Sequence, residues 1–350
     1  MNLYLSNGYF DAQAVLGLKY NYIFCTGGRG TGKTYGTLKA LVQRQKTFLY
    51  LRRTQKQVDV MLDDGFNPFQ PLNEDCGYMI MPYRESKYIW GFRHSHVNAD
   101  GDIVPDDGNS LVCLTASLAT FADLRGISAE YIETIFYDEF IAEKGARRMK
   151  NEAYRLLNAV ETINRNRELK GKQPAKLIAM SNSETLANPI YMEIGVVKQA
   201  ADMQKKLQDI RYFPERGLCL ISLQNSPISE KKRKTSLYKL TGQDSAFATM
   251  ALDNTYTYNE SNTHSLNYKE LVPLYRVGEL QIDGWKGHDM YYVTGKFHGT
   301  VKETYNIDDL EFKRFKNAHR DVIVYYLWNL IVFEDYYLES LFIEMFGLNK

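Results

Sequence analysis

Four cysteines in 350 residues, Cys25, Cys76, Cys113 and Cys219, are too few and too scattered for a disulfide framework. No C-x-x-C pair is present to hold zinc, and a reducing compartment suits the chain. No apolar run approaches the ~20 residues that a bilayer-spanning helix needs. The opening residues MNLYLSNGYFDAQ lack the basic-then-apolar order of an export signal. Charge of one sign is missing as well. With 43 Lys and Arg against 42 Asp and Glu, the formal net charge is +1, so no global field draws the chain to nucleic acid or acidic lipid. Polyanion binding must rest on local patches. There is no internal repeat and no low-complexity tract. What remains is a globular chain, 44% hydrophobic, long enough for one large domain and a small one.

Against that background, residues 27–34 read GGRGTGKT. They fit the phosphate-binding loop pattern of glycine, four residues, then Gly-Lys-Thr without a mismatch. The flanks fit too: Tyr22-Ile23-Phe24-Cys25 is strand-like, and Tyr35 to Val42 suits a helix. Gly27, Gly28, Gly30 and Gly32, with Arg29 and Thr31 between them, let the backbone approach a phosphate and turn its N–H groups inward. The helix that begins at Lys33-Thr34-Tyr35 points its positive end at the same phosphates. Lys33 is expected at the β- and γ-phosphates and the Thr34 hydroxyl at Mg²⁺. Residues 27–35 are thus the expected cofactor site. The absence of an Asn-Lys-x-Asp guanine signature favours ATP over GTP.

The second informative segment is YIETIFYDEF, residues 131–140, an apolar strand running into two carboxylates. Open α/β sheets bind ligands beyond the carboxyl ends of their strands. Asp138 is placed there to bind Mg²⁺, and Glu139 beside it to polarise an attacking water. Other strand signals are Thr47–Leu51, followed by Arg52-Arg53, and Lys176–Met180, followed by Ser181-Asn182. The latter end either senses the γ-phosphate or is a plain polar turn. Helical spacing through Leu156, Leu157, Val160 and Ile163 closes in Asn164-Arg165-Asn166-Arg167. Strands alternating with helices predict an α/β fold with a doubly wound, mainly parallel sheet of the P-loop (ASCE/RecA-like) kind. Residues 77–115 are strand-rich, and HVNADGDIVPDDGN within them lacks calcium-loop spacing and reads as a solvated hairpin loop. Leu218–Leu223 is expected to close the sheet. The shift to Asn225-Ser226-Pro227 and the charge run 230–234 sets the predicted boundaries: an ATPase domain over 1–222, a linker over 223–255 and a second domain over 256–350. Within the last, LYRVGELQIDG reads as one strand, and 319–346 as a strand and a long helix.

In series, FCTGGRGTGKTYGTLKALV, FLYLRRT, ASLATFADLRGISAEYIETIFYDEF and LIAMSNSE resemble the large terminases, the ATPases that package viral DNA. Leu124-Arg125-Gly126 ahead of YDEF is a recurring terminase-like feature. The short chain looks most like the packaging ATPases of small protein-primed tailed phages, the Picovirinae group. The resemblance covers most of residues 1–255 and weakens beyond. It implies a ring, usually pentameric, at the portal vertex of a prohead in the host cytoplasm, absent from the mature virion. There ATP hydrolysis drives double-stranded DNA inward, and in this group a prohead RNA scaffolds the ring. Roles carry over at matching positions: Lys33 and Thr34 in the loop, Asp138 on Mg²⁺, Glu139 as catalytic glutamate. Such rings complete the site with an arginine from the neighbouring subunit. Arg165 and Arg167 are the candidates, with Arg147 and Arg148 as alternatives.

Terminase C-terminal domains are RNase H-like nucleases with clustered carboxylates. Here only Glu279, Asp283 and Asp289 are on offer, and the Asp expected inside the first strand is missing. A small α+β, nuclease-like but inactive domain is therefore expected. DNA contact is expected from Arg52, Arg53 and Lys56 and from Lys231, Lys232, Arg233 and Lys234, through phosphates and without sequence preference. The rivals are a helicase or recombination ATPase, a protein that binds ATP without turnover, and an active DNA-cutting terminase.

Overall fold

The computed structural model describes residues 1–348, apart from 63–65, 87–88, 122–130, 144–148, 184–185, 187, 225, 242–244, 246–247, 249–250, 253 and 255–262. Contacts divide the chain into two units, Met1–Glu184 with Gln199–Tyr256, and Thr185–Lys198 with Thr257–Lys350. The stretch 223–255, expected as a linker, belongs to the first unit.

The first unit is built on a ten-stranded sheet. Its strands are β1 (Tyr22–Gly27), β2 (Phe48–Arg52), β3 (Ile80–Arg84), β4 (Trp90–Val97), β5 (Ile103–Pro105), β6 (Leu111–Ser117), β7 (Thr134–Asp138), β8 (Lys176–Ser181), β9 (Ile210–Phe213) and β10 (Leu218–Leu223). The order is β3-β4-β6-β2-β7-β8-β1-β10-β9, with β5 paired to β4. The six strands from β6 to β10 in this order pair in parallel, and β3, β4 and β9 add antiparallel edges. β10 therefore lies beside β1, and β9, not β10, closes that edge. The parallel strands are near-continuous apolar runs because both of their faces are covered. Ile23, Cys25, Phe48, Tyr50, Phe136, Ile178 and Cys219 share a core with Leu38 and Leu41 of the helix Lys33–Gln43. The alternate residues Phe24, Leu49, Leu51, Ile135, Tyr137, Leu177 and Leu220 are buried as well. Helix Glu152–Asn164 buries Leu156, Ala159, Val160 and Ile163, one stripe at helical spacing.

Pairing in register brings the functional strand ends to one edge. Thr26 is opposite Ser181, Asp138 opposite Met180, and Arg52 opposite Ser117. At the β4–β5 hairpin, Asn98 accepts from the Asp100 and Asp102 amides and organises the turn itself. Among the described residues no group of acidic, His or Cys side chains could hold a metal ion on its own, in that loop or elsewhere. None of the described helices is long and apolar enough to cross a membrane.

The second unit carries β11 (Leu271–Val277), β12 (Leu280–Trp285), β13 (Tyr291–Thr294), β14 (Glu303–Tyr305) and β15 (Ile331–Phe333), in the order β14-β11-β12-β13-β15. The run expected as one strand is two. It turns at Gly278-Glu279, where Gly278 takes φ 56°, a left-handed value suited to a two-residue hairpin, and Val277 pairs with Leu280. Residues 319–346 also differ from expectation, as helix Arg320–Leu327, strand β15 and helix Tyr336–Phe346. Asn329, at φ 58°, turns the chain out of the first helix. Phe315, Tyr326, Phe333, Phe342 and Phe346 form the core, with Phe342 and Phe346 stacked at 4.3 Å.

Candidate nucleotide site

β1 ends at Gly27, and the chain re-enters a helix at Lys33 through Gly32. Lys33 is buried and turned back along its own loop. Its Nζ donates to the Gly27 and Gly28 carbonyls, both at 2.8 Å, and to Asn182 Oδ1 at 3.2 Å. Burial lowers its pKa to about 8, with Lys232 and Arg29 adding to the effect. The Thr34 hydroxyl donates to both carboxylate oxygens of Asp138, at 3.2 and 3.1 Å. A helix start after β1 and the end of β7 thereby meet on one hydroxyl–carboxylate pair. Such hard oxygen donors suit Mg²⁺, which takes one or two protein ligands and fills its octahedron with water and phosphate oxygens.

Three further side chains converge on the two carboxylates. The Tyr50 hydroxyl donates to Asp138 Oδ2 at 3.2 Å. Arg52 bridges the pair, one terminal nitrogen on Asp138 Oδ2 at 2.8 Å and the other on Glu139 Oε2 at 2.6 Å. Gln57 Nε2 also donates to Glu139 Oε2, at 3.0 Å. Glu139 itself sits at φ 59°, a left-handed backbone uncommon for a residue with a Cβ. Its amide is tied to the Met180 carbonyl at 2.7 Å, so β8 holds the turn in place. Strain of this kind collects where geometry matters for chemistry. Burial raises the Glu139 pKa above the usual glutamate value; Arg52 opposes the shift and Asp138 reinforces it.

A profile described as podovirus DNA encapsidation protein (Gp16) matches residues 109–315, more than half of the 350-residue chain. The chain belongs to the podovirus DNA encapsidation protein family. No curated protein matches it. Among solved structures, it resembles the Phi-28 gp11 DNA packaging motor, at 19% identity and TM-score 0.62 over 99% of this chain and 100% of that one. It likewise resembles the bacteriophage Phi-29 viral genome packaging motor assembly, at 16% identity and TM-score 0.64 over 98% and 99%. At these identities the likeness is one of fold, over nearly the whole of each chain. The function of this encapsidation protein is viral DNA packaging, as the order of its motifs implies. The helicase and recombination readings are set aside by the family.

Other expected residues of the encapsidation protein land elsewhere. Arg53 does not face solvent. It is buried and forked onto Glu152, Nε to Oε1 at 2.6 Å and a terminal nitrogen to Oε2 at 3.1 Å, and the Tyr137 hydroxyl also donates to Oε1. Arg52, with 13% of its side chain exposed, serves the carboxylates instead of solvent. Lys56, Lys231 and Lys234 are exposed. Lys232 is half-buried against the loop, and Arg233 lies near Glu230 at 3.8 Å. Arg167 is buried, donating to the Gln173 and Ile132 carbonyls, where it fastens the turn after helix Glu152–Asn164. Arg165 is exposed at the same turn. That helix is thirteen residues long, so its end lies about 20 Å from Glu152. Arg147, Arg148 and the Leu124-Arg125-Gly126 feature lie outside the described residues. Arg29 meets Glu143 at 2.9 Å, and Tyr35 donates to Asp75 at 2.5 Å. Sequence reasoning missed Tyr50 and Gln57. Gln57 had a signal, as the fourth residue of a Thr54-x-x-Gln57 capping box, but that signal speaks of a helix start and not of Glu139.

Proposed function

We propose that this chain powers DNA packaging by hydrolysing ATP with Mg²⁺ in a P-loop site, and that Glu139 is its catalytic base. The observation that carries this reading is the meeting of Thr34, Asp138 and Glu139 beside Lys33 at the carboxyl edge of a parallel sheet. Bound Mg²⁺ would neutralise charge on the triphosphate. Thr34 and Asp138 hold that position. Lys33 exchanges its loop carbonyls for phosphate oxygens, and Asn182 stands within its reach as a sensor of the terminal phosphate. Glu139 accepts a hydrogen bond from the attacking water and takes up its proton. Arg52 and Gln57, which now occupy Glu139 Oε2, hold the carboxylate until it turns to that water. A neighbouring subunit supplies an arginine in a ring. Arg165, which donates to the Thr162 carbonyl through Nε, has the exposure for that role; Arg167 is buried on carbonyls of its own chain.

The second unit is proposed as an RNase H-like domain without nuclease activity. Its candidate carboxylates are each engaged apart from one another: Asp283 with His298 and Gln281, Glu279 with Tyr337, and Asp289 with Tyr325. Lys56, Lys231 and Lys234 are the proposed DNA contacts, made in a ring that works with the portal, the prohead and a prohead RNA. Steady-state ATP hydrolysis by the native chain and by Glu139→Gln tests the site. The variant is expected to bind ATP and to lose at least 100-fold in turnover; native-like turnover would remove Glu139 from its role.

A further inference from the structure

One side of helix Pro227–Arg233 is applied to the phosphate loop, while Glu230 and Lys231 are exposed. A side chain on Gly8 would meet Pro227 Cβ at 3.1 Å. Lys231 Nζ donates to the Asn7 carbonyl at 3.4 Å, and Lys232 Nζ donates to the Arg29 carbonyl at 2.5 Å. Phe10 N–H in turn donates to the Thr31 carbonyl at 2.9 Å. The N-terminal turn, the loop and this helix are thus laced together, with Lys231 the charged link to the turn and Lys232 the charged link to the loop.

The Arg29 carbonyl sits in the middle of GGRGTGKT, and its peptide partner is the Gly30 N–H. The described chain has no cis peptide bond, and a trans peptide is planar with C=O and N–H on opposite sides. Fixing the carbonyl outward on Lys232 therefore fixes the Gly30 N–H toward the opposite side, the inside of the cradle. The neighbouring peptide is pinned in the opposite sense: the Gly28 carbonyl accepts from Lys33, and the Arg29 N–H donates to the Ala251 carbonyl at 2.7 Å. An ammonium behind the carbonyl also polarises the peptide, so its N–H becomes a better donor to an anion. Gly30 is suited to this place on two counts. It takes φ +68°, and a Cβ there would fall 2.3 Å from Lys232 Nζ. Partial burial and the nearby Arg29 charge lower the Lys232 pKa, as expected for an ammonium held off solvent.

We infer that Lys232 is a positioning residue of the phosphate site, which orients the Arg29–Gly30 peptide so that the loop receives the nucleotide's phosphates. This rests on the proposed ATP site and moves Lys232 out of the DNA contacts expected from sequence. The test is ATP binding with Mg²⁺ by calorimetry, on the full chain, for the native protein, Lys232→Met, Lys232→Arg and Lys33→Ala. One charge-assisted hydrogen bond is at stake, so Lys232→Met is expected to weaken ATP about tenfold. Lys232→Arg, which can still donate to the carbonyl, is expected to recover to within about threefold. Far-ultraviolet circular dichroism and the unfolding midpoint of Lys232→Met should match the native chain, and its affinity for double-stranded DNA should stay within twofold. Native ATP affinity in Lys232→Met, or a loss confined to DNA, overturns the inference. Unchanged ATP affinity in Lys33→Ala overturns the phosphate-site reading beneath it, a separate result.

Discussion

Arg52 is the residue whose loss should be felt most, and the structure says why. It holds two carboxylates at once, and with only 13% of its side chain exposed it does so largely out of water. Arg52→Met would leave Asp138, 4% exposed, with the Thr34 and Tyr50 hydroxyls as donors. Removing one partner of a buried pair costs about 3–5 kcal/mol. The two remaining hydroxyls put the loss at the lower end, about 3 kcal/mol. The Glu139 side of the fork is 40% exposed and screened, and adds at most about 1 kcal/mol. A cation held at the proposed Thr34–Asp138 site would compete with Arg52 for the Asp138 carboxylate. Mg²⁺ with ADP should therefore rescue the variant more than it stabilises the native chain, by about 1–2 kcal/mol at equal ligand concentration. Urea unfolding with and without Mg²⁺-ADP measures both quantities. A loss below 1 kcal/mol, or an equal increment in the two proteins, would refute the competition.

Breaking the Arg53–Glu152 fork by Arg53→Met should cost about 3–5 kcal/mol, and adding Glu152→Met should restore part of it, as a double-mutant cycle in urea would show. A silent Arg53→Met with weakened DNA binding would return Arg53 to the DNA surface. The lowered Lys33 pKa, about 8, gives ATP affinity a pH dependence. Phosphate prefers the protonated amine, so binding takes up a proton, and affinity should fall as pH rises through 8; calorimetry from pH 6.5 to 9.5 would show it. For folding the sign is opposite: the folded chain holds this proton less tightly than the unfolded one, so Lys33 contributes stability as pH climbs from about 8. Burial raises Cys25, Cys113 and Cys219 to about 12, so in the native chain only Cys76 should react with a thiol reagent at pH 8, counted by mass spectrometry.

The grouping of residues at the candidate site was legible because it is local. GGRGTGKT dictates its own backbone, and an apolar run ending in Asp-Glu dictates where the carboxylates emerge. Lys33, Thr34 and Asp138 stand together in the structure for those reasons. Residues whose role depends on which strands become neighbours were not legible. Arg52 and Arg53 are adjacent in sequence, and alternation sends them to different partners, Arg52 to Asp138 and Arg53 to a helix start at Glu152. Lys232 read as a DNA contact within a basic run, since nothing in its local sequence records that helix Pro227–Arg233 folds onto the loop that holds Arg29. The strand order of the second unit turned on one glycine, Gly278, whose positive φ splits an otherwise continuous β pattern.

The central claim is that hydrolysis at Glu139 moves DNA, and packaging itself tests it most directly. Native chain or Glu139→Gln would be mixed with empty proheads, genomic DNA, Mg²⁺ and ATP, and the DNA protected from added nuclease measured. The account predicts protected DNA with the native chain and none with Glu139→Gln, although the variant still binds ATP. Protection by Glu139→Gln at the native level would contradict it.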